Sequence, residues 1–128
     1  MKHKPHCMAV LTLAMAILFI PLLFLLIFGF SMKKTDEYAC AIQTARQEPQ
    51  VIAVAGEPLT PGLFAWMAYF ESGGGLRQGL FFTKLSGPTG SGTLRVEFYR
   101  TPIGATLYLT FKTGGEETAI YDGVYPCP

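Results

Sequence analysis

Histidine is missing from most of this chain, and its absence excludes several kinds of catalytic site. Only His3 and His6 are present, and both precede a long apolar segment near the N terminus. The rest of the chain therefore lacks the side chain that most often serves as a general base near neutral pH. Ser-His and Cys-His nucleophilic dyads are excluded there. Glu97 and the pair Glu116-Glu117 are interpreted as solvated carboxylates, so we predict no enzyme and no catalytic residue.

Cysteine is also scarce. The three cysteines, Cys7, Cys40 and Cys127, form no Cys-x-x-Cys pair, so a closed zinc site is not expected. The tail around Cys7 contains soft ligands of the type that copper accepts, but a short tail gives them no fixed geometry. We predict no metal and no other cofactor.

Clustered positive charge is the third absence. Only 15% of the residues are charged, and the ten Lys and Arg nearly balance the nine Asp and Glu. Nucleic-acid binding requires basic side chains gathered on one surface to neutralise phosphates. Those of the C-terminal part are spread along the sequence, so no nucleic-acid partner is expected: Arg77, Lys84, Arg95, Arg100 and Lys112.

What the sequence does contain is an uncharged run of 23 residues, from Met8 to Phe30, rich in Leu, Ile and Phe. A helix of this length is about 35 Å long, compared with a hydrocarbon thickness of about 30 Å. The run therefore predicts a single-pass transmembrane helix whose partner is the lipid bilayer. Pro21 within it is tolerated in a membrane helix.

A cleaved secretory signal peptide is the main alternative. Its apolar core usually has about 7–15 residues and ends at a small-x-small cleavage site. Here the run is longer and leads into Ser31-Met32-Lys33-Lys34, which offers no such site. A buried helix of a globular domain is disfavoured because the run is apolar on every side.

The predicted organisation has three parts: a short tail at 1–7, the transmembrane helix at 8–30 and one extramembrane domain at 31–128. The last has 98 residues, enough for a single modest core. Lysines flank both ends of the helix in similar number, so the positive-inside rule leaves its orientation open.

Cys40 and Cys127 lie on the same side of the predicted span, whereas Cys7 lies on the other. A disulfide between the two would close nearly the whole domain, worth at most about 4–5 kcal/mol in the chain-entropy model. It requires an oxidising compartment. Free thiols are the alternative, and the sequence leaves both open.

Two helices are predicted after the span. Thr35 is a helix-capping residue followed by two acids that suit the positive end of a helix dipole. Apolar residues then recur at helical spacing and predict a helix at 36–47. Pro49 can open a second short helix at 50–55, which Gly56 and Pro58 would end.

The remainder has the sequence pattern of an antiparallel sheet, in which glycine-rich turns separate segments of strand length. Two segments, 94–99 and 106–112, alternate strictly between apolar and polar residues and predict a hairpin. Segments 76–86 and 118–122 are weaker strands. Segment 63–71 has apolar residues at helical spacing as well, but its aromatic content favours a strand. The predicted fold is α+β, with one or two helices packed on an antiparallel meander.

The segment Gly87-Pro88-Thr89-Gly90-Ser91-Gly92 lies between two predicted strands. It lacks the Gly-Lys-Ser/Thr ending of a phosphate loop and does not lead into a helix. We interpret it as a tight turn in which Pro88 presets one backbone angle and the glycines provide positive φ. Gly87, Pro88, Gly90 and Gly92 are therefore candidates for a structural turn or a partner-binding site.

Two motifs carry a resemblance to a known family. Gly56-Glu57-Pro58-Leu59 after a helix, and the stretch from Leu85 through the glycine-rich turn to Val96, resemble the cytochrome c oxidase assembly factor 1 family, which is related to a mitochondrial import-translocase subunit. The order of span, helix, Gly-x-Pro element and glycine-rich turn before a hairpin is also similar. The chain differs from the family's common pattern at Thr89, where the family has lysine, and at Ala105-Thr106, where it has tryptophan.

The resemblance implies a membrane-tethered, non-enzymatic domain that binds other membrane proteins during assembly of a respiratory oxidase or a similar complex. It also implies a domain outside the cytoplasm. The N-terminal tail lacks the pattern of a mitochondrial presequence, which favours the periplasmic side of a bacterial inner membrane. The alternative function is an envelope sensor or a small domain that binds an apolar ligand among its aromatic residues: Trp66, Tyr69, Phe70, Phe81 and Phe82.

Overall fold

The computed structural model describes residues 4–128, which form three helices followed by five strands. The fold is α+β, as predicted, with the strands in one antiparallel sheet of order β1-β2-β3-β4-β5. Each strand pairs with the next along the chain, so the sheet is the predicted meander. The elements are α1 (Lys4–Met32), α2 (Asp36–Arg46), α3 (Pro49–Ala55), β1 (Thr60–Gly73), β2 (Leu76–Gly87), β3 (Gly90–Thr101), β4 (Gly104–Thr113) and β5 (Glu116–Val124).

Helix α1 contains the predicted span and extends beyond both of its ends. It is one continuous helix of 29 residues with Pro21 inside it. Its length and composition suffice to cross a membrane, and none of its most apolar window is buried in the protein. The last turn of α1 differs from this exposed window in that Met32 is buried in the core of the domain.

Helices α2 and α3 confirm the two helices predicted from the sequence. The side chain of Thr35 caps α2 by accepting a hydrogen bond from the backbone N–H of Tyr38. Helix α2 ends one residue before the predicted limit, and α3 begins one residue earlier, with Pro49 in its first turn. Gly56 follows α3 with a φ of +80°, a backbone angle that favours glycine because it has no Cβ.

The five strands confirm the predicted strand segments and are longer than the sequence indicated. The ambiguous segment 63–71 lies within β1 and pairs with β2. The hairpin predicted from alternation is formed by β3 and β4, where Val96 lies opposite Leu109. Positive φ angles occur at the glycine pairs of two turns, Gly74-Gly75 and Gly114-Gly115, as the commonest two-residue hairpin turns favour.

Both short helices contribute to a core on one face of the sheet. This face presents alternate residues of the central strands, and Tyr38 of α2 packs against Phe81 of β2 with ring centroids 5.9 Å apart. Neither α2 nor α3 covers the opposite face, and we call it the outer sheet face. The buried strand residues include Phe81, Leu85, Leu94, Val96, Phe98, Leu107, Leu109 and Phe111.

The end of α1 packs against β1, the first edge strand of the sheet. The rings of Phe30 and Phe64 meet at a centroid distance of 5.2 Å. Lys33 Nζ donates a hydrogen bond of 2.9 Å to the carbonyl oxygen of Gly62. The predicted boundary between residues 30 and 31 therefore falls inside a packed junction, because the final turns of the apolar helix are part of the domain.

A disulfide joins Cys40 of α2 to Cys127, with their Cα atoms 5.8 Å apart. It links residues 87 positions apart in the sequence and fastens the C-terminal segment to the helical face. Cys40 is buried, whereas Cys7 of α1 is a free, exposed cysteine.

Replacing both bridged cysteines by alanine is expected to lower the free energy of unfolding by about 2–4 kcal/mol, because the open chain gains conformational entropy. Urea unfolding of the full chain in detergent, followed by near-ultraviolet circular dichroism, measures the change. Reduced wild-type protein should unfold with the double variant, and Cys7→Ala serves as the unaffected control. Equal urea midpoints for the oxidised wild type and the double variant would contradict the prediction.

Candidate interaction surface

The glycine-rich turn between β2 and β3 binds the C-terminal end of α3. The backbone N–H of Thr89 donates to the carbonyl of Ala55 at 2.9 Å. The Thr89 hydroxyl donates to the carbonyl of Val54 at 3.1 Å. Two carbonyls that the end of a helix leaves without partners are thereby satisfied. The turn thus has a structural role, in which α3 is held against the end of the sheet.

The glycines of this turn are required by close contacts and not by backbone conformation. The expectation that they provide positive φ is wrong, since Gly87, Gly90 and Gly92 all lie outside that region. A Cβ on Gly87 would lie 2.2 Å from the carbonyl oxygen of Ala55, and one on Gly90 would lie 2.6 Å from that of Val54. Gly92 likewise leaves room for the ring of Phe111. Pro88 remains exposed beside this junction.

An ion cluster lies at the opposite end of β2, where α2 crosses the sheet. The side chain of Glu37 is 0% exposed, whereas those of Arg77 and Arg100 are 40% and 27% exposed. Arg77 donates two hydrogen bonds to the Glu37 carboxylate, at 2.6 and 3.0 Å. Arg100 donates a third, also at 3.0 Å. One carboxylate thereby joins α2 to β2 and β3.

The register of the sheet explains why these charges belong together. Arg77 and Arg100 are directly opposite each other on β2 and β3, an arrangement that is unfavourable for like charges. Glu37 lies between them, and its single negative charge offsets part of their mutual repulsion. Burial alone would raise the pKa of Glu37, but the hydrogen bonds from Arg77 and Arg100 outweigh it and hold that pKa below its ordinary value.

The sequence interpretation missed this cluster because it treated the basic residues as scattered and solvated. A signal was nevertheless present. Arg100 follows Phe98 by two residues, so strand alternation places it on the buried face, and Arg77 has the same parity as Phe81. Two arginines on a buried face require a carboxylate partner. Glu37, interpreted only as a favourable charge at the start of a helix, is that partner.

A cleft of about 600 Å³ opens beside the cluster. Arg77 and Arg100 line it together with Lys34 and Asp36. The two guanidinium groups are already hydrogen-bonded to Glu37, whose single negative charge balances one of their two positive charges. The cleft therefore gives solvent access to the cluster.

The outer sheet face exposes aromatic and apolar side chains. Tyr99 of β3 is exposed, and Tyr108 of β4 is half-buried. Between them lies Glu97, which pairs across the strands with Tyr108 and accepts a hydrogen bond of 2.7 Å from Arg95. Tyrosine and arginine are enriched among the residues that dominate binding at protein interfaces. This face thus combines aromatic contact area with a fixed pair of charges.

The five aromatic residues considered for an apolar ligand pocket are divided between the two faces. Phe81 and Phe70 lie on the core face, where Phe98 packs near both rings. Trp66 and Phe82 are paired on the outer sheet face. Tyr69, opposite Leu80, is also on the outer side. The structure therefore does not gather these residues around one ligand.

Within the described range 4–128, no group of three or more His, Cys, Asp or Glu side chains is placed to hold a metal ion. Of the tail residues considered as soft ligands, His6, Cys7 and Met8 belong to α1, and His3 lies outside the described residues. Comparison with protein-family models, with curated proteins and with solved structures finds no match to this chain.

Substituting Gly87 by alanine is expected to destabilise the protein by about 1–3 kcal/mol, because the new methyl group would force α3 away from the turn. Gly104→Ala is the matched control, since a Cβ there has no neighbour within 4 Å. Thermal unfolding of the two variants measures the difference. Equal melting temperatures for Gly87→Ala and Gly104→Ala would refute the close-contact explanation.

Replacing Glu37 by glutamine is expected to cost about 1–3 kcal/mol at neutral pH, because two arginines lose their counter-ion. The lowered pKa of Glu37 also sets a pH dependence. Its contribution is full above the unfolded-state pKa of about 4.3 and is lost as the pH falls through the lower folded-state pKa. Acid unfolding curves of the wild type and Glu37→Gln should therefore converge at low pH. Asp122→Asn, at an exposed position on β5, is the control. A gap between the wild-type and Glu37→Gln curves that stays constant down to low pH would contradict this assignment.

Proposed function

We propose that this protein is a single-pass, membrane-anchored and non-enzymatic interaction domain that assists the assembly of a membrane protein complex. The observation that carries the proposal is the asymmetry of the sheet. Both short helices cover one face, and the other is left with exposed aromatic residues next to an ion pair. A partner would gain contact area there without any rearrangement of the core.

The way α1 ends supports a retained anchor over a cleaved signal peptide. Met32 is only 4% exposed and belongs to the domain core. Gly29 is buried, and a Cβ on it would lie 3.3 Å from Phe64. Cleavage after the apolar run would remove or fray a turn against which β1 packs. A signal peptide gains nothing from such packing, whereas an anchor is stabilised and oriented by it.

The disulfide supports a domain outside the cytoplasm. Structural disulfides persist in oxidising compartments and are rare where thioredoxin and glutathione keep thiols reduced. The bridge between Cys40 and Cys127 therefore favours the periplasmic side of a bacterial inner membrane. The free Cys7 would lie across the bilayer from it.

The resemblance to the cytochrome c oxidase assembly factor 1 family names the complex that we propose as the client, a respiratory oxidase. The glycine-rich turn that carries the resemblance serves to hold α3 in this structure. We therefore assign partner binding to the outer sheet face around Tyr99 and Tyr108, and not to the turn.

Deleting the protein is expected to reduce assembled oxidase, measured by haem difference spectra and by native electrophoresis of gently solubilised membranes. The full chain should also capture oxidase subunits or their assembly factors. Replacing Tyr99 and Tyr108 together by alanine is expected to weaken that capture about tenfold, a loss of about 1.4 kcal/mol.

Ile103→Ala is the matched control, because Ile103 is an exposed apolar residue on the turn between β3 and β4. Unchanged oxidase complexes in the deletion strain during respiratory growth would refute the assembly function. Undiminished capture by the double tyrosine variant would refute the assignment of the face while leaving the function standing.

A further inference from the structure

A second exposed apolar surface lies where β1 meets the end of α1, and we call it the β1 corner: Leu63, Phe64 and Trp66. Leu63 is 66% exposed and Trp66 is 53% exposed. Phe64 and Trp66 pack on each other with ring centroids 5.8 Å apart. From Thr60 to Phe70 the strand contains no charged residue. An exposed group of apolar side chains of this size commonly marks a site that another apolar surface covers.

We infer that the β1 corner inserts into the headgroup region of the same bilayer that α1 crosses. This inference rests on the proposed anchoring by α1. It goes beyond a tether, because it gives the domain a fixed orientation on the membrane surface.

The first argument is continuity with the membrane-spanning surface. Phe30 ends the uncharged run of α1, and its ring contacts Phe64. A run of 23 residues already matches or exceeds the hydrocarbon thickness, so Phe30 lies near the boundary of the hydrocarbon. Phe64 is therefore held at that depth as well, and Trp66 is the next residue on the same face of β1.

The second argument is the chemistry of the residues around the corner. Tryptophan is enriched at the membrane interface because its ring is apolar and its N–H is polar. Lys84 lines an open groove of about 310 Å³ with Leu63 and Trp66. Lys33 and Lys34 follow α1 directly. Basic side chains close to the end of a membrane-spanning helix attract the phosphates of anionic lipids.

The third argument is that the corner is held rigidly. Lys33 Nζ donates to the carbonyl of Gly62 at 2.9 Å and lies 3.4 Å from that of Leu63. A Cβ on Gly29 would lie 3.5 Å from the carbonyl oxygen of Ala65. These contacts fix β1 against α1, so the depth of the helix determines the depth of the corner.

Trp66 is the only tryptophan in the chain, so the intrinsic fluorescence of the full-length protein tests the inference directly. The protein is reconstituted into vesicles of phosphatidylcholine and phosphatidylglycerol, some containing nitroxide-labelled lipid. We expect blue-shifted emission that is quenched more strongly by a nitroxide near the lipid carbonyl than by one at the chain end. Leu63→Asp should reduce the shift and the quenching without changing the circular dichroism, since Leu63 is exposed.

Moving the tryptophan provides the matched control. In a variant with Trp66→Phe and Tyr99→Trp, the probe lies on the same sheet face but two strands away. It is also displaced by four residues of β2 in register, about 13 Å along the strand direction. Its emission should be quenched by acrylamide in water and not by labelled lipid. Equal lipid quenching at both positions would overturn a contact specific to the β1 corner.

Three other outcomes would overturn the inference, and they are distinguishable. If the protein fails to float with the vesicles, the anchor itself is wrong. If it floats but Trp66 remains accessible to acrylamide and unquenched by lipid, the docking alone is wrong. Protection of Trp66 in native membranes but not in lipid vesicles would show that a protein covers the corner instead.

Discussion

The structure depends on the hydrogen bonds that two buried-face arginines donate to the carboxylate of Glu37. Register places Arg77 opposite Arg100 on the side of the sheet that the helices cover, and their mutual repulsion would oppose pairing of β2 with β3. Burying a carboxylate without a partner destabilises the folded state, because removing the charge from water is costly. Three hydrogen bonds offset that cost only when α2 lies across these two strands. The cluster therefore specifies where the helix sits, which is a role distinct from adding stability.

The position of α2 is linked to that of α1 through a short connection. Thr35 donates its hydroxyl to the carbonyl of Met32 and accepts from the N–H of Tyr38, so a single side chain joins the end of α1 to the start of α2. Glu37 follows two residues later. The anchor, the connection and the sheet are thereby coupled, and a domain built in this way has little freedom to swing beneath its span. In the proposed membrane arrangement, the orientation of the domain would follow from the same contacts that fold the protein.

Much of the fold could be predicted because its elements express local physical rules. Strand alternation, glycine turns, the cap at Thr35 and the uncharged run act over a few residues. The sites depend on distances across the fold instead. The glycines at 87, 90 and 92 are needed because α3 and β4 pack closely against them. Those contacts come from residues distant in the sequence, so the residues around each glycine do not predict them. The sequence leaves open whether Cys40 and Cys127 form a disulfide or stay free thiols for the same reason, because the distance between them depends on the whole fold.

The two uncovered surfaces of the domain differ in what can cover them. The β1 corner touches the last apolar turns of α1, so its surroundings are set by the depth of the helix. Tyr99 and Tyr108 lie further from that junction and flank Glu97, which is held by Arg95. Such a fixed charged pair beside tyrosine rings suits the polar rim of a protein interface. Under the two proposals, one sheet face combines a part that contacts lipid with a part that contacts protein, and membrane contact at the first would direct the second toward neighbouring membrane proteins.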